Sequence, residues 1–232
     1  MPSLLGWSIL LSSGVALSVY RFHKSLSKRV SHEHRQGAFP ETLRNTITSI
    51  PDAVFSDEFH CFHDRVASRV SRRDLPSQDL SELFVLLLRR NMTAFAYFPQ
   101  AYILHLIATP ERKCTFCESH IQSLRFQVGD VVNGIYRVCE REDNKVVFAI
   151  DAKGPIEGRL AIRYWEEEDE VVYCNETAMW TQKAKENKKQ ATLPLERPVL
   201  KFLHECAAWW LLDSGTRYLT GLRESPEQSK SQ

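Results

Sequence analysis

The segment from residue 129 to residue 180 constrains the fold of this chain most. Short runs of apolar and β-branched residues recur in it, at 131–138, 146–150, 160–165 and 171–180. They are separated by turn-forming sequences, namely Asn133-Gly134, Glu142-Asp143-Asn144, Gly154-Pro155 and the acidic run 166–170. Because breaks this short leave no room for crossover helices, the sequence predicts an antiparallel meander with one face covered by another part of the chain.

Composition narrows the class of protein. A chain of 232 residues with 43% hydrophobic and 25% charged residues is long enough for one well-buried domain with appendages. Thirty basic and twenty-nine acidic residues give a net charge of +1, so no global field favours nucleic acid, and none is expected as a partner. The six cysteines are scattered, which is typical of free thiols in a reducing compartment.

The amino-terminal segment predicts a membrane anchor. Residues 2–20 carry no charge and are strongly apolar, and a helix of about 19 residues rises about 28 Å, close to the thickness of a bilayer core. Basic or titratable residues follow at once, namely Arg21, His23, Lys24, Lys28 and Arg29. By the positive-inside rule the rest of the chain lies in the cytosol, so residues 1–21 are predicted to be a single-pass transmembrane anchor, with the endoplasmic reticulum as the expected membrane. A signal peptide or a buried helix is the alternative, although the segment lacks a basic start and a clear cleavage site.

The next part of the chain predicts a linker and then helices. Residues 22–43 are polar and aperiodic, as in a solvated linker, and the alternation at 46–50 predicts a short strand. Residues 53–70 are predicted to be helical, with His60 and His63 one turn apart as core or surface residues. A stronger helical pattern begins at Leu80, with Asp79 or Ser77 as its cap, and a second helix is expected over 100–107. At the other terminus, residues 223–232 are predicted to be a disordered tail.

One motif has the spacing of a metal site. Cys114 and Cys117 form a CxxC pair, and His120 follows three residues later. Structural zinc requires a fourth ligand, which the neighbouring sequence does not supply. The chain also has no glycine-rich phosphate loop and no HExxH motif, so neither a metal nor a cofactor is expected.

The last predicted element is a long helix. Glu196 and Pro198 fit its first turn, and two adjacent stripes of the helix are largely apolar, one with Val199, Leu203, Cys206 and Trp210 and the other with Leu200, His204, Ala207 and Leu211. An apolar arc this wide is expected to lie across a sheet, with Trp210 facing it. The element order therefore predicts an α+β domain in which a curled antiparallel sheet buries the last helix.

Several of these stretches resemble a known superfamily. GDVVNGIYRV (129–138), GRLAIRYW (158–165), NETAMW (175–180) and LERPVLKFLHECAAWWLL (195–212) resemble the carboxy-terminal half of the helix-grip SRPBCC superfamily, which includes START domains and polyketide-cyclase-like proteins. SIPDAVF (49–55) is similar to its first strand and helix. The resemblance implies a helix-grip ligand-binding domain over residues 44–222, with a deep hydrophobic cavity between sheet and helix for lipids, polyketides or similar molecules. It carries over no catalytic residue.

Two departures from the small cyclase-like members shape the functional expectation. The predicted anchor and the long polar insertion before the last helix suggest, by analogy, a fungal-type accessory protein of polyketide or terpenoid biosynthesis that works beside membrane-bound partners. Three functions remain open: an accessory isomerase, cyclase or dehydratase acting by general acid–base chemistry, a non-catalytic lipid or metabolite carrier, and a membrane scaffold. An ionisable group buried in the pocket favours the first, an apolar pocket the second, and a filled core the third.

Strand parity suggests the residues of a site. Glu176 shares a strand face with Cys174 and Trp180, and this face is taken as the inward one, although a single bulge would reverse the choice. Glu176 and His204 are thus predicted to face each other across the cavity as catalytic groups, with pKa values tuned near neutrality. The expected ligand contacts are Tyr164, Trp180 and Trp210. In the alternative, Glu176 points to solvent and His204 binds a backbone carbonyl.

Overall fold

The chain folds as an α+β domain built on one antiparallel sheet. A computed structural model describes residues 17–151, 154–184 and 190–223. The strands are β1 (Ser31–Gly37), β2 (Phe59–Ser71), β3 (Val131–Val132), β4 (Tyr136–Glu142), β5 (Lys145–Ile150), β6 (Glu157–Glu167) and β7 (Glu170–Gln182). They form a seven-stranded sheet in the order β1-β2-β7-β6-β5-β4-β3, in which every neighbouring pair is antiparallel.

The helices lie before, between and after the strands. They are α1 (residues 17–26), α2 (Thr42–Thr46), α3 (Leu80–Phe95), α4 (Pro99–Ile107), α5 (Pro110–Lys113), α6 (Glu118–Ser123) and α7 (Pro198–Gly221). Short 3-10 helices occur at Asp52–Phe55, Arg72–Asp74, Cys114–Phe116 and Pro194–Glu196. Asp79 caps α3, since its Oδ1 accepts a hydrogen bond from the Ser81 amide at 2.7 Å, as the sequence predicts.

The meander and the long last helix are confirmed. Strands β3 to β7 follow one another as hairpins across the sheet, and α7 spans 24 residues. The turn between β3 and β4 requires glycine, because Gly134 has φ +79 and a Cβ there would lie 2.8 Å from the Phe116 ring. One residue, Cys139, forms a bulge where the β4–β5 register shifts.

The helix predicted over residues 53–70 is wrong. Phe59–Ser71 is instead the strand β2, which pairs with β1 on one side and with β7 on the other. Apolar residues at positions 59, 62, 66 and 70 imitate helical spacing, but both faces of this strand are buried, so no polar face marks the period of two. The strand predicted at 46–50 is also wrong, since this stretch is the end of α2 and the turn after it.

The segment predicted as a solvated linker contributes to the fold. Residues 22–43 contain the second half of α1, the edge strand β1 and the start of α2. Strand β1 has the sequence SHEHRQG, with polar residues on both faces, which is typical of an edge strand but gives no alternating hydrophobic signal. Apart from Arg223, the predicted tail lies outside the described residues.

The two faces of the sheet are covered differently. On the first, here called the helix face, Tyr164, Tyr173 and other apolar side chains pack against α3 and α7 in the largest hydrophobic core. On the second, here called the cover face, residues 39–55 form a covering segment whose Leu43, Ile47 and Ile50 enter a smaller core with strand side chains. Burying a single large aliphatic side chain contributes about 1.5–3 kcal/mol, so both cores stabilise the sheet substantially.

Helix α7 buries a different tryptophan from the one predicted. Trp209 is 2% exposed and belongs to the helix-face core, whereas Trp210 is half-buried, with its ring 5.5 Å from that of Phe98 and 4.9 Å from the Arg90 guanidinium carbon. Helix α1 packs along α7: Leu26 enters the same core, and His23 Nε2 lies 2.9 Å from Glu205 Oε2.

The predicted membrane anchor falls mostly outside the described part of the chain, which begins at residue 17. Among the residues described, no helix combines the length and the hydropathy needed to cross a bilayer.

Candidate functional site

A cleft opens on the cover face of the sheet. It has a volume of about 220 Å³ and lies between the strands and the start of the covering segment. Its lining is largely polar and comes from four strands and α2, namely Glu33 and Arg35 on β1, His63 and Arg65 on β2, Arg163 on β6, Glu176 on β7, and Pro40, Thr42, Leu43 and Thr46 from the covering segment.

Strand register brings the charged residues of the cleft together. Glu33 lies opposite Arg65, and Arg65 lies opposite Glu176, so charges of alternating sign form a row across three strands. Side chains directly opposite each other on antiparallel strands are close enough to interact, and opposite charges stabilise the pairing. On its other side Glu176 faces Ala161, whose small side chain leaves room for Arg163 two residues further along β6.

Glu176 lies at the centre of the cluster and is 3% exposed. Its Oε2 lies 2.9 Å from Arg163 Nε, and its Oε1 lies 3.6 Å from His63 Nε2 and 3.7 Å from Arg65 Nε. Burial opposes ionisation of the carboxyl, but interaction with the His63 ring and the charge of Arg163 outweigh burial, and the pKa of Glu176 is lowered. Glu176 is therefore a carboxylate at neutral pH, and the expectation that its pKa is tuned near neutrality is wrong.

His63 has an unsatisfied polar atom beside this carboxylate. The side chain is buried, and Nε2 has no hydrogen-bond partner among the described residues. A buried polar atom without a partner costs roughly 1–3 kcal/mol, so such an atom at a cleft is a good candidate for contact with a ligand.

The cleft has a surplus of positive charge. Three arginines and two glutamates line it, which leaves +1 when His63 is neutral. Glu176 is paired with Arg163 and Arg65, and Glu33 lies 3.5 Å from Arg65, whereas Arg35 is exposed and makes no ion pair with any described residue. An unpaired guanidinium at the edge of a partly enclosed cleft is well suited to bind a carboxylate or another small oxyanion.

The sheet separates the two predicted catalytic residues. His204, on α7, lies over the helix face, where its Nε2 is 3.1 Å from Oδ2 of the buried Asp64. Glu176 lies on the cover face, because it pairs with Ala161, whose side chain is part of the cover-face core. The two therefore do not face each other across a cavity. The alternative arrangement is not found either, because Glu176 is buried instead of pointing to solvent, and His204 binds a carboxylate instead of a backbone carbonyl.

The three predicted ligand contacts also lie apart. Tyr164 is buried on the helix face, with its ring centroid 5.3 Å from that of Phe84. Trp180 is buried on the cover face, where its ring packs edge-on against Phe39 at 6.1 Å. Trp210 packs towards α3 and α4, as described above. Tyr164 and Trp180 are thus core residues on opposite faces, and none of the three lines the cleft.

The space predicted to hold a cavity is occupied by side chains. Between the sheet and α7 lie Trp209, Leu212 and Leu219, each at most 2% exposed, and they belong to the same hydrophobic core as Val66 and Tyr173 of the strands. Packing of this kind leaves few voids larger than a water molecule.

The sequence interpretation missed most of the cleft. Glu33 and Arg35 alternate on β1, and His63 and Arg65 alternate on β2, so each pair lies on one strand face. This signal becomes visible only when both segments are recognised as strands, whereas their sequences predict a linker and a helix. The CxxC pair is exposed at α5 and α6, and within the described residues no group of His, Cys, Asp or Glu is arranged to hold a metal ion.

The fold and the cleft define an α+β domain with a charged cleft on one face of its sheet. No family model matches the chain, and no curated protein is significantly similar to it. Among solved structures, the chain is similar to CalU16 from Micromonospora echinospora, at 13% sequence identity, covering 84% of this chain and 99% of that chain with a TM-score of 0.34. A likeness at this level carries no argument about function.

Proposed function

We propose that this protein binds a small organic anion, of the carboxylate class, in the cleft on the cover face. The proposal is carried by the buried Glu176 and His63 and the three arginines beside them: among the described residues Arg35 has no ion-pair partner, and the buried His63 Nε2 has no hydrogen-bond partner. A carboxylate would supply acceptors to both.

Size and polarity define the ligand class. A volume of about 220 Å³ is below the range of roughly 300–1,000 Å³ that accommodates drug-sized ligands, so the ligand is a small acid. Lipids and polyketides have long apolar parts, and the lining of this cleft offers them mainly charged and hydroxyl groups. The apolar ligand expected between the sheet and α7 is therefore not favoured, because that space is filled by core side chains.

Each residue has a distinct role in this proposal. Arg35 binds the anion at the mouth of the cleft, and His63 donates a hydrogen bond or exchanges a proton at its floor. Glu176 remains ionised and holds the His63 ring and the Arg163 guanidinium in position. Its role is positioning rather than catalysis, because a carboxyl with a lowered pKa is a weak acid–base catalyst at neutral pH. Any proton transfer in this cleft would depend on His63.

Calorimetric titration of the whole protein tests the proposal. Small mono- and dicarboxylates should bind, and their neutral amides should not, because the amide lacks the charge that Arg35 recognises. Arg35→Gln should weaken carboxylate binding by about tenfold to a hundredfold, as expected for the loss of a charged hydrogen bond. Arg73→Gln is the matched control, since this arginine is 80% exposed and lies outside the cleft. Equal binding of acids and amides, or an equal loss in both variants, would contradict the proposal.

A membrane scaffold is the second candidate. The filled core beneath α7 favours it over an apolar-ligand carrier. In this case the anchor predicted at residues 1–21 would hold the domain beside membrane-bound biosynthetic partners, and the cleft would be a regulatory or structural site. This second candidate includes two further proposals: that the chain is a member of the helix-grip superfamily, and that it has an accessory role in secondary metabolism.

A further inference from the structure

Helix α4 exposes an apolar face to solvent. Tyr102, Ile103, Leu106 and Ile107 are between 57% and 74% exposed, and Tyr97 just before the helix is 81% exposed. Single exposed apolar residues are common, but a cluster on one short helix is characteristic of a contact surface. Meanwhile Ala101 on the same helix is fully buried, so α4 is held against the domain with its apolar outer face free.

Two other helices expose apolar residues beside α4. On the first turn of α7 these are Val199 and Leu200, and on α1 they are Leu17, Val19, Tyr20 and Phe22. Contacts place all three helices together: Gln100 Nε2 of α4 donates a hydrogen bond to the Leu203 carbonyl at 2.7 Å, and the His23 ring of α1 lies 4.9 Å from the Phe202 ring. Helices α1 and α4 thus both contact the amino-terminal half of α7, and the exposed apolar residues of α1, α4 and the first turn of α7 are here called the apolar end.

The charges at the apolar end are basic. Neither the described part of α1 nor α4 contains an acidic residue. Arg21 and Lys24 on α1 and Arg197 before α7 are exposed and make no ion pair with described residues, while nearby Glu205 and Glu196 are engaged with His23 and His60. Exposed cations next to an apolar surface are attracted to anionic lipid headgroups.

We infer that the apolar end rests on an anionic bilayer surface, with α4 lying in the headgroup layer. The uncharged sequence of residues 2–16 joins α1 at residue 17, so the most apolar part of the chain connects to the domain at this end. Tyr20, Tyr97 and Tyr102 supply aromatic rings of the kind enriched at the membrane–water boundary. This surface is independent of the cleft, since no residue is shared between them.

Photolabelling from lipid tests this inference. The full chain is reconstituted into phosphatidylcholine vesicles containing phosphatidylserine and a lipid with a photoactivatable acyl chain, and labelled peptides are located by mass spectrometry. Peptides containing α4 and the first turn of α7 should be labelled. The peptide containing Val128 serves as the internal control, because this residue is 67% exposed, lies between α6 and β3 and does not belong to the apolar end. It should remain unlabelled.

A charged variant separates surface contact from anchoring. Combining Ile103→Asp with Ile107→Asp should abolish labelling at Val199 and Leu200 while labelling of residues 2–22 persists, and Val128→Asp should change neither. Labelling confined to residues 2–22 in the unmodified chain would overturn the inference, as would unchanged labelling of α7 in the double variant. If the apolar end binds a protein partner instead of lipid, α4 would not be labelled in these vesicles, which contain no other protein.

Discussion

Replacing Glu176 with glutamine should destabilise the protein strongly, because it removes the one charge that holds the buried cluster together. The substitution keeps the size of the side chain but leaves Arg163, 2.9 Å away, without its carboxylate, and leaves Arg65, 3.7 Å away, with Glu33 alone. Removing one partner of a buried ion pair costs about 3–5 kcal/mol. Here we expect about 3 kcal/mol, the lower end of this range, because both guanidiniums retain roughly a quarter of their exposure to water.

The effect should appear in thermal unfolding followed by circular dichroism. For a chain of this size 1 kcal/mol corresponds to about 2–4 °C, so Glu176→Gln should lower the Tm by about 6–12 °C. Glu166→Gln is the matched control, because Glu166 is exposed and has no ion pair with described residues. Its change in unfolding free energy should stay within about 0.5 kcal/mol.

The pH dependence of this difference tests the cause. The folded-state pKa of Glu176 is below its ordinary value of 4.5, so its stabilising contribution is fully present above pH 4.5 and is lost as pH falls through the folded pKa. The gap between the unmodified protein and Glu176→Gln should therefore narrow below pH 4.5. A gap that stays constant with pH, or a glutamine variant as stable as the control, would refute the assignment of Glu176 as a buried carboxylate clamped by arginines.

Other substitutions test the packing around the sheet. Trp209→Ala should cost about 3–5 kcal/mol in chemical unfolding and Trp210→Ala distinctly less, because only Trp209 is fully buried; equal losses would contradict the orientation of α7. Gly215→Ala should destabilise by about 1–3 kcal/mol, since the new methyl would lie 2.6 Å from Asn91 Oδ1 where α7 crosses α3, and a stabilised variant would show that the helices do not approach so closely. Iodoacetamide should modify the two exposed cysteines of the CxxC pair in the native protein but Cys174 only after unfolding, because burial raises the pKa of this thiol to about 12; early modification of Cys174 would indicate that the sheet opens.

Local sequence signals predicted the carboxy-terminal half of the fold well. Asn133-Gly134 and the other turn sequences are short-range signals that need no knowledge of the rest of the chain, and they separate strands where the structure has hairpins. Pro198 likewise begins α7, as its fixed φ favours at a helix start. Such features depend on neighbouring residues, so a single sequence reveals them.

The site could not be predicted because it depends on which residues cover each face of the sheet. All of β7 from Val171 to Thr181 is buried, so alternation along it does not separate an inner face from an outer one. The choice of the Glu176 face as the side of α7 was wrong for this reason. The residues that cover Glu176, around Leu43, come from a segment assigned to the linker, and their position follows from tertiary packing rather than from local preference.

Strand β1 determines what happens to shortened forms of this protein. A chain that begins at residue 44, the boundary suggested by the sequence, would lack Ser31–Gly37 and with it Glu33 and Arg35. Strand β2 would then become the sheet edge, and the seven residues 61–67 that pair with β1 would present unpaired backbone groups to other molecules. Unpaired strand edges recruit strands from neighbouring chains. Such a truncation should form insoluble intermolecular sheets, whereas the charged and histidine-rich β1 keeps the native edge from self-association.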